Sequence, residues 1–274
     1  MKKKSFNPTL SGIRSGFYDL DSFTQGFQKS DLIVIAGRPS MGKTAFSLNI
    51  GLNIIKKLKL PVLFFSLEMS KEQLTYRLLT HETNINNNRL KTGNLYKDDW
   101  VKLNTVIQQL SILPFFIDDT PNPSVQDIKL KIKKIIFEQT QIGLIIIDYL
   151  QLMQNSTSFS SNRAQELSQI TRSLKNLARE FQVPIIALSQ LSRNVENRPN
   201  KRPILSDLRE SGSIEQDADL VLMLYRESYY STTIATTEDQ SNRVELIIAK
   251  QRNGPIGTVE LEFDSNRTKF SNVN

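Results

Sequence analysis

The chain of 274 residues contains no cysteine and a single histidine, His81. The lack of cysteine excludes disulfide bonds, thiolate-bound zinc and a cysteine nucleophile, and one histidine excludes a multi-histidine metal site. Any metal ion would therefore be held by oxygen ligands. No apolar run approaches the roughly 20 residues of a membrane-spanning helix, and the first residues, Met-Lys-Lys-Lys-Ser-Phe, lack the hydrophobic stretch of a secretory signal. We expect a soluble protein without membrane contact.

Length and charge bound the class of protein without selecting a function. With 39% hydrophobic residues the chain can bury one substantial core, and an α/β unit of this size commonly stays a single domain. The formal net charge is +7, from 35 basic and 28 acidic residues. That excess would suit a polyanionic partner, but it would equally suit a protein that is merely soluble. Charge alone therefore decides nothing about partners.

Short apolar runs recur between helical patterns along the chain. They are nearly continuous rather than alternating, as is typical of strands that are buried on both faces. Their alternation with helices predicts an α/β fold, with a mainly parallel sheet and helices on both faces. The runs cover residues 32–36, 62–66, 115–117, 144–148, 183–189 and 220–225.

The second half of the chain adds an amphipathic helix and a hairpin. Residues 163–182 carry apolar side chains at helical spacing, with basic side chains on another face. Near the end, segments 244–250 and 256–263 flank an Asn253-Gly254 step, which is a strong turn signal, and predict a C-terminal β-hairpin. The polar segments 155–162, 194–203 and 228–240 are expected to be loops.

One segment between the first predicted strand and a helix fits the phosphate-binding pattern GxxxxGK[ST]. Its residues are Gly37, Arg38, Pro39, Ser40, Met41, Gly42, Lys43 and Thr44. We expect Gly37 and Gly42 to adopt backbone angles that a Cβ would obstruct, so that successive N–H groups face phosphate oxygens at the N-terminus of the helix. Lys43 would reach the β- and γ-phosphates, and the Thr44 hydroxyl would bind Mg²⁺. The segment predicts a nucleoside triphosphate site.

Two acids follow apolar strands that lead to the same expected edge of the sheet. Asp148 ends one of them in the Walker B manner, which would place its carboxylate beside the Mg²⁺ that Thr44 holds. Many related ATPases place a glutamate directly after that acid as the base for water, but here the position is Tyr149. Glu68 is the best alternative base, since it follows another strand at the ligand-binding edge. It would equally suit an acid favoured by the dipole of the next helix.

Gln190 presents a similar choice. It ends the predicted strand 183–189 at the same edge of the sheet. Its amide would be placed to sense a γ-phosphate, or it would serve as a hydrogen-bonding residue of a loop. Its position in the sequence does not separate the two readings.

Eight collinear blocks, taken together, resemble the motor domain of the DnaB-type replicative DNA helicases, which are RecA-like hexameric ATPases. The resemblance covers nearly the whole chain, and its most specific block is Arg-Glu-Ser-Gly-Ser-Ile-Glu-Gln-Asp-Ala-Asp. It implies a RecA-like P-loop NTPase core with ATP and Mg²⁺ as cofactors. The blocks are residues 15–21, 37–44, 66–70, 89–93, 147–153, 187–193, 207–219 and 249–254.

The resemblance also implies roles that the residues alone leave open. Glu68 would be the catalytic base and Gln190 the phosphate sensor, acting with Lys43. Lys250 and Arg252 would project into the nucleotide site of the neighbouring subunit, where a cation stabilises the transferring phosphoryl group. Without the resemblance, these two cations would be charges that flank a turn.

A third role concerns DNA. Arg209, Glu210 and Gly212 match the family's central-channel loop, in which a cation and backbone N–H groups grip successive phosphates of single-stranded DNA. Contacts of this kind carry no base readout, which suits translocation on any sequence. Taken without the resemblance, the segment 207–219 would be an acidic surface loop.

These observations lead to one prediction with two alternatives. We expect residues 15–274 to form an ATP-dependent helicase motor that works as a homohexameric ring on single-stranded DNA at the replication fork. Residues 1–14 would be a tail or residual linker, without the N-terminal domain through which such helicases recruit primase. The alternatives are a recombinase-like or clock-like ATPase of the RecA superfamily, and a truncated nucleotide-binding module that does not unwind DNA.

The compartment follows from weaker features of the sequence. Lysine, isoleucine and asparagine are plentiful, as in proteins of AT-rich genomes, and the motifs are of bacterial type. A bacterial cytoplasm and a plastid stroma both fit. The plastid is favoured, because the sequence carries no recognisable import peptide.

Overall fold

The structure is a computed structural model that describes residues 10–153, 163–208, 212–230 and 242–273, with the backbone alone at 163, 212 and 213. Within these ranges the strands form one nine-stranded sheet in the order β3-β2-β4-β5-β1-β6-β7-β8-β9. The strands are β1 Leu32–Gly37, β2 Val62–Ser66, β3 Phe115–Asp118, β4 Leu144–Asp148, β5 Ile185–Gln190, β6 Leu220–Tyr225, β7 Arg243–Gln251, β8 Gly257–Asp264 and β9 Lys269–Asn272.

Helices cover both faces of this sheet. The α-helices are α1 Tyr18–Thr24, α2 Lys43–Lys57, α3 Lys71–Thr83, α4 Asn87–Thr92, α5 Lys97–Ser111, α6 Val125–Gln139, α7 Arg163–Phe181 and α8 Gly212–Asp217. Short 3-10 helices span Leu150–Leu152, Arg193–Asn197, Leu205–Asp207 and Glu227–Tyr229. None of the helices in the described ranges has the length and apolar character needed to cross a membrane.

All six strands that the apolar runs predict are present, and β1 to β6 pair in parallel. The fold class predicted from the sequence is therefore confirmed. The strand predicted at 183–189 begins two residues later, at Ile185, after Pro184, which has no N–H to donate to a neighbouring strand. Segment 155–162 lies outside the described residues, segment 194–203 contains a 3-10 helix, and segment 228–240 is described only to Tyr230.

The predicted hairpin is confirmed as β7 and β8, but it extends into a third antiparallel strand, β9. The four residues of β9 include only one buried apolar side chain, Phe270, so no alternating pattern announces the strand. Asn253 and Gly254 lie in the loop between β7 and β8, and neither has the positive φ of a two-residue hairpin turn. The dipeptide therefore marks the hairpin but not its turn type.

The core lies in two layers because successive side chains of a strand point to opposite faces. On one face, Ile33 and Ile35 of β1 belong to the cluster that includes Phe46 of α2. On the other, Leu32 and Val34 belong to the cluster that includes the apolar side of α7. Both faces of β1 are thus covered, and β1 holds the segment that follows it at a fixed position.

Candidate active site

The segment 37–44 joins β1 to α2 at the carboxyl edge of the parallel strands. Gly42 has φ +96°, and a Cβ built on it would lie 2.9 Å from the Phe270 ring, so the expected left-handed backbone is confirmed there. At Gly37 the expectation is wrong, since its φ is not left-handed and a Cβ would meet no atom nearer than 3.4 Å. Ser40 takes the left-handed conformation instead, with φ 64°. The turn is therefore made at Ser40 and Gly42.

The first turn of α2 is suited to an anion. Among the described residues no side chain caps this end, and the first turn carries no acid. By contrast, α3 is capped by Ser70, which accepts a hydrogen bond from the Gln73 N–H. Uncapped N–H groups and the helix dipole both favour a phosphate at the start of α2.

Lys43 lies over the turn at the mouth of the site. Its ammonium donates to the backbone oxygens of Gly37 at 2.9 Å and Arg38 at 3.2 Å. Burial lowers the pKa of Lys43, whereas the carboxylates of Asp148 and Glu68 act in the opposite direction. A phosphate bound here would add negative charge next to this cation.

Thr44 and Asp148 meet across the site. The Thr44 hydroxyl donates to Asp148 Oδ2 at 2.6 Å, and Asp148 is only 2% exposed. Burial raises the pKa of Asp148 and the charge of Glu68 adds to the effect, while the hydrogen bond from Thr44 opposes it. The Asp148–Tyr149 peptide bond is cis. One hydroxyl and one carboxylate are hard oxygen donors, so the two side chains fit Mg²⁺.

Glu68 lies in a turn that is fastened to β4. The N–H of Leu67 donates to the backbone oxygen of Asp148 at 2.6 Å, and the Ser66 hydroxyl donates to the backbone oxygen of Met69 at 2.6 Å. These bonds hold Glu68, which is exposed, beside the end of β4. The competing reading of Glu68 as a helix-dipole acid is not supported, because it precedes α3.

The acid that fits the helix-dipole reading is Glu72. It stands in the first turn of α3, two residues after the N-cap Ser70. Its hydrogen bond to Ser70 lowers the pKa of Glu72, as expected for a carboxylate at a helix N-terminus. Because Glu72 is the acid at the N-terminus of α3, Glu68 is not needed there and can face the cleft.

Gln190 ends β5 next to the phosphate-binding segment, since the register pairs it with Gly37. It borders two clefts, one of about 380 Å³ over Lys43 and one of about 550 Å³ beside Gln151. The Gln151 amide in turn donates to the Ser189 hydroxyl at 3.0 Å. Gln190 can therefore contact a ligand in the cleft over Lys43 and also contact residues of the cleft beside Gln151.

The first cleft brings together most of the side chains that the sequence singled out. Within it, Lys43, Thr44, Glu68, Asp148 and Gln190 face one space. Pro39, Ser40 and Gly42 of the phosphate-binding segment also line it. These residues come from four different strand ends that are far apart in sequence.

Two side chains of the phosphate-binding segment point elsewhere. Arg38 is 7% exposed, and its guanidinium donates to the Leu191 backbone oxygen and to Glu196, each at 2.8 Å. Met41 is 1% exposed and packs in the core beneath the segment. Any contact of Arg38 or Met41 with a nucleotide in this arrangement would therefore come from the backbone.

Sequence reasoning did not single out Arg77, Phe263 or Thr268, which also line the cleft. Arg77 of α3 lines it, and the carboxylates of Asp148 and Glu68 act on this guanidinium, while burial lowers the pKa of Arg77. Phe263 and Thr268, from β8 and the turn before β9, also border the cleft. Arg77 lies on the first helix after Glu68, but no motif marked it. Phe263 lies in the predicted hairpin segment without any signal of a role in a site, and Thr268 lies in the turn before β9, which was not predicted.

Lys250 and Arg252 lie far from this cleft within the chain. They flank Gln251, which pairs with Leu220 at the beginning of β6. The cleft lies at the opposite edge of the sheet, where β1, β4 and β5 end. The two cations therefore cannot serve the chain's own site, and their predicted role in a neighbouring subunit stays a prediction.

The predicted DNA contacts fall largely outside the described structure. Arg209 and Glu210 belong to the residues that it does not describe, and Gly212 is the first residue of α8. Their role stays a prediction as well.

These features define a class of protein. A strand, a phosphate-binding turn and an uncapped helix, with Lys43, Thr44 and Asp148 at the carboxyl edge of a parallel sheet, make up a P-loop nucleotide-binding core. Residues 12–272 match the family model described as DnaB-like helicase C terminal domain. The chain belongs to this family, and the resemblance stated above is confirmed.

Named relatives agree with the family match. The chain is 72% identical over 270 residues to a "Probable replicative DNA helicase" of Trieres chinensis, covering 98% of this chain and 59% of the relative. It is 53% identical over 264 residues to "Replicative DNA helicase DnaB" of Geobacillus stearothermophilus, covering 96% and 57%. The chain thus spans a little over half the length of the curated relatives it matches.

Two solved structures share the fold. One is described as an ATPase domain, with a TM-score of 0.92 and 41% identity, covering 98% of this chain and 93% of that chain. The other is a DnaB-like replicative helicase described with its interactions with primase, with a TM-score of 0.89 and 41% identity, covering 97% and 63%. At 41% identity, these two structures resemble this chain in sequence as well as in topology.

Proposed function

We propose that this chain is the ATPase motor of a replicative DNA helicase, in which ATP hydrolysis drives movement along single-stranded DNA and unwinding of the duplex. The observation that carries the proposal is the cleft that unites Lys43, Thr44, Glu68 and Asp148 in a chain of the DnaB-like family. Membership of that family favours this function over the recombinase-like and clock-like alternatives. Residues 15–274 would form the motor, and residues 1–14 a tail or residual linker.

In the proposed reaction each side chain of the cleft has a separate task. The uncapped N–H groups of α2 and the Lys43 ammonium bind the β- and γ-phosphates. Thr44 and Asp148 would hold Mg²⁺, which would neutralise charge on the phosphate oxygens. Glu68 accepts a proton from the water that attacks the γ-phosphorus, and the bond to the β-γ bridging oxygen breaks. Gln190 contacts the γ-phosphate and so distinguishes ATP from ADP.

We assign Arg77 a supporting part in the same reaction. Its cation faces two carboxylates that would otherwise repel each other and the triphosphate. Holding Glu68 and Asp148 close to a polyanion requires a compensating charge, and Arg77 supplies one from within the chain. This role concerns the electrostatics of the free and loaded site rather than proton transfer.

Completion of the site would require a second copy of the chain. Lys250 and Arg252 lie at the opposite edge of the sheet, and the Arg252 side chain is 42% exposed. In a ring of six copies this edge would face the cleft of a neighbour, where the cations would stabilise the transferring phosphoryl group. The segment with Arg209, Glu210 and Gly212 would line the central channel and bind DNA phosphates.

The proposed function also concerns a protein partner and a cellular compartment. A related DnaB-like helicase is described with its interactions with primase, and we propose primase as a partner of this helicase motor. A relative 72% identical comes from the alga Trieres chinensis, which supports a plastid gene and a place of action in the plastid stroma.

The first experiment measures the mass of the chain and its ATP turnover. Light scattering with ATP, Mg²⁺ and single-stranded DNA should give six times the monomer mass, and DNA should stimulate turnover. Lys43→Ala should abolish turnover, whereas Lys102→Ala, a matched loss of an exposed lysine on α5, should leave it unchanged. A folded protein that binds ATP without turnover would support the passive nucleotide-binding module instead.

A further inference from the structure

Lys250 and Arg252 are bound to one junction on the edge of the sheet. We define the Asp219 junction as Asp219, Lys250 and Arg252 together with the carboxyl end of α8. Arg252 forms an ion pair with Asp219, with 3.6 Å between Nη1 and Oδ1, and it also donates to the Gln216 backbone oxygen. The cations proposed to act in the neighbouring site are thus not free side chains.

The Lys250 ammonium is held by the carboxyl end of α8. It donates to the backbone oxygens of Glu215, Gln216 at 3.3 Å and Ala218 at 2.7 Å. Three acceptors match the three protons of an ammonium, and the carboxyl end of a helix favours a cation. Burial lowers the pKa of Lys250, and the charge of Arg252 acts in the same direction. Its attachment to α8 therefore helps to keep two like charges side by side.

Asp219 connects this junction to the strand that leads into the phosphate-binding segment. Its N–H donates to the Leu32 backbone oxygen at 2.9 Å, and its Oδ2 accepts the Leu32 N–H at 2.8 Å. Its backbone oxygen accepts the Arg252 N–H at 2.9 Å. Asp219 is 7% exposed and also pairs with Lys175, whose side chain is 11% exposed. Asp219 thus contacts Arg252 twice, since its backbone oxygen accepts the Arg252 N–H and its buried carboxylate pairs with the guanidinium.

The contacts with Asp219 matter for the entropy that Arg252 loses when it docks against a neighbouring subunit. A long arginine side chain loses considerable entropy when it is fixed at an interface, and a partner that orders it beforehand reduces that loss. Both terminal nitrogens of the Arg252 guanidinium are held within this chain, Nη1 by the Asp219 carboxylate and Nη2 by the Gln216 backbone oxygen, while 42% of the side chain stays exposed and can meet an anion. Arg252 is therefore pre-organised at the edge of the sheet before any neighbour arrives.

We propose that Asp219 is the positioning residue of Arg252, and that it holds this guanidinium in the direction of the neighbouring subunit's nucleotide while α8 holds Lys250. The proposal rests on the function proposed above, in which Arg252 acts in trans. Asp219 itself does not touch the nucleotide. Because α8 begins two residues after Glu210 in the sequence, the same junction connects the trans-acting cations to the segment proposed to bind DNA.

The test compares two variants of the full chain assembled on single-stranded DNA with ATP and Mg²⁺. Asp219→Asn removes the charge that orients Arg252 but keeps an oxygen for the Leu32 N–H. Lys175→Met is the matched control, because it breaks the pair with the same carboxylate and leaves the contacts of Arg252 and α8 in place. We expect kcat of Asp219→Asn to fall at least about tenfold with an unchanged KM for ATP, and kcat of Lys175→Met to stay within about twofold of the wild type.

A double variant guards against loss of folding. If Asp219→Asn alone unfolds because Lys175 is left buried without its partner, Asp219→Asn with Lys175→Met removes both charges and should fold. It should retain the tenfold loss in kcat. An equal loss in Lys175→Met, or kcat near the wild-type value in folded Asp219→Asn or in the double variant, overturns the positioning role.

Arg252→Ala tests the proposed trans role of Arg252 separately from the positioning role of Asp219. If Arg252→Ala turns over ATP at the wild-type rate in the assembled protein, the trans role of Arg252 is wrong and the positioning role falls with it. If Arg252→Ala is inactive while Asp219→Asn is fully active, the trans role stands and the positioning role alone is refuted.

Discussion

At the scale of single residues, two carboxylates share one cleft in different surroundings. Asp148 is 2% exposed and accepts the Thr44 hydroxyl, whereas Glu68 is exposed on a turn. Two acids whose surroundings differ in this way can divide a reaction between them. Asp148 suits a fixed ligand of a cation, and Glu68 suits exchange of a proton with water.

This division predicts the effect of a change at Glu68. Glu68→Gln keeps the shape of the side chain but removes the proposed base, so we expect kcat for ATP hydrolysis to fall about 10²- to 10⁴-fold while ATP still binds. Glu72→Gln, in the first turn of α3, is the matched control and should keep wild-type turnover. Steady-state ATPase assays with a fluorescent-nucleotide titration separate the effects. A loss of ATP binding in Glu68→Gln would contradict a role confined to the base.

A second residue-scale prediction concerns pH. Burial, and then the charge of Asp219, raises the pKa of Asp31 from its ordinary 3.8 to about 6, although Lys175 and Arg252 act against the shift. Between these pH values the folded protein binds more protons than the unfolded chain, so this carboxyl lowers stability as pH rises and exerts its full cost above about pH 6.

Removing that ionisation should therefore stabilise the protein at neutral pH. We expect Asp31→Asn to raise Tm at pH 7.5, and the gain to disappear near pH 4, where the wild-type carboxyl is protonated in the folded state. Thermal melts followed by circular dichroism at both pH values measure the difference. The same gain at pH 4 and pH 7.5 would mean that the substitution acts through contacts and not through charge.

At the scale of elements, the sequence predicts what depends on local pattern. The strands β1, β2 and β4, the helix α7 and the phosphate-binding segment all follow from apolar runs, helical spacing or a motif. β9 does not, because its stability comes from the Phe270 ring, which packs against Phe46 and Phe263 with centroids 5.1 and 4.5 Å apart. Phe270 is brought to these rings by pairing of β9 with β8, which no local pattern encodes.

The same distinction separates the side chains of the cleft. Lys43, Thr44 and Asp148 are recognisable because their chemistry lies within short motifs. Glu68 and Gln190 needed the family resemblance, since an acid or amide that follows a strand has several ordinary uses. Neither a motif nor the family resemblance pointed to Arg77. Its position in the cleft depends on how α3 packs over the sheet, which no spacing in the sequence reveals.

The turn before α2 gives a prediction with an internal control. Gly42→Ala would impose a Cβ at φ +96° and within 2.9 Å of the Phe270 ring. We expect a loss of about 1–3 kcal/mol in the free energy of unfolding, together with weaker ATP binding. Gly37→Ala meets no such obstacle and should change the free energy of unfolding by less than about 0.5 kcal/mol. Denaturant titrations of both variants decide the matter, and equal losses would refute the assignment of strain to Gly42 alone.

At the scale of the whole molecule, the sheet separates two halves of one proposed site. The cleft lies where the parallel strands end, and Lys250 and Arg252 lie at the opposite edge, because β7 runs antiparallel to β6. A chain built in this way has the nucleotide-binding cleft at one edge of the sheet and these cations at the other. Head-to-tail contacts between copies would complete every site, and a closed ring would leave none unpaired.

This arrangement makes a prediction that no single-chain mechanism shares. Arg252→Ala should bind ATP but lose turnover by a factor on the order of 10³, because its neighbour's phosphoryl group lacks a cation. Lys43→Ala should fail for the opposite reason, since its own cleft is defective while its Arg252 is intact.

Mixed rings should therefore contain complete sites wherever the intact cleft of an Arg252→Ala subunit meets the intact Arg252 of a Lys43→Ala neighbour. We expect ATP turnover of the equimolar mixture to exceed the mean of the two separate variants. A mixture of Lys43→Ala with Glu68→Gln serves as the control, because both variants have defective clefts and no pairing of them completes a site. Turnover equal to that mean in both mixtures would contradict the proposed action of Arg252, whose side chain is 42% exposed at the opposite edge of the sheet, in a neighbouring subunit.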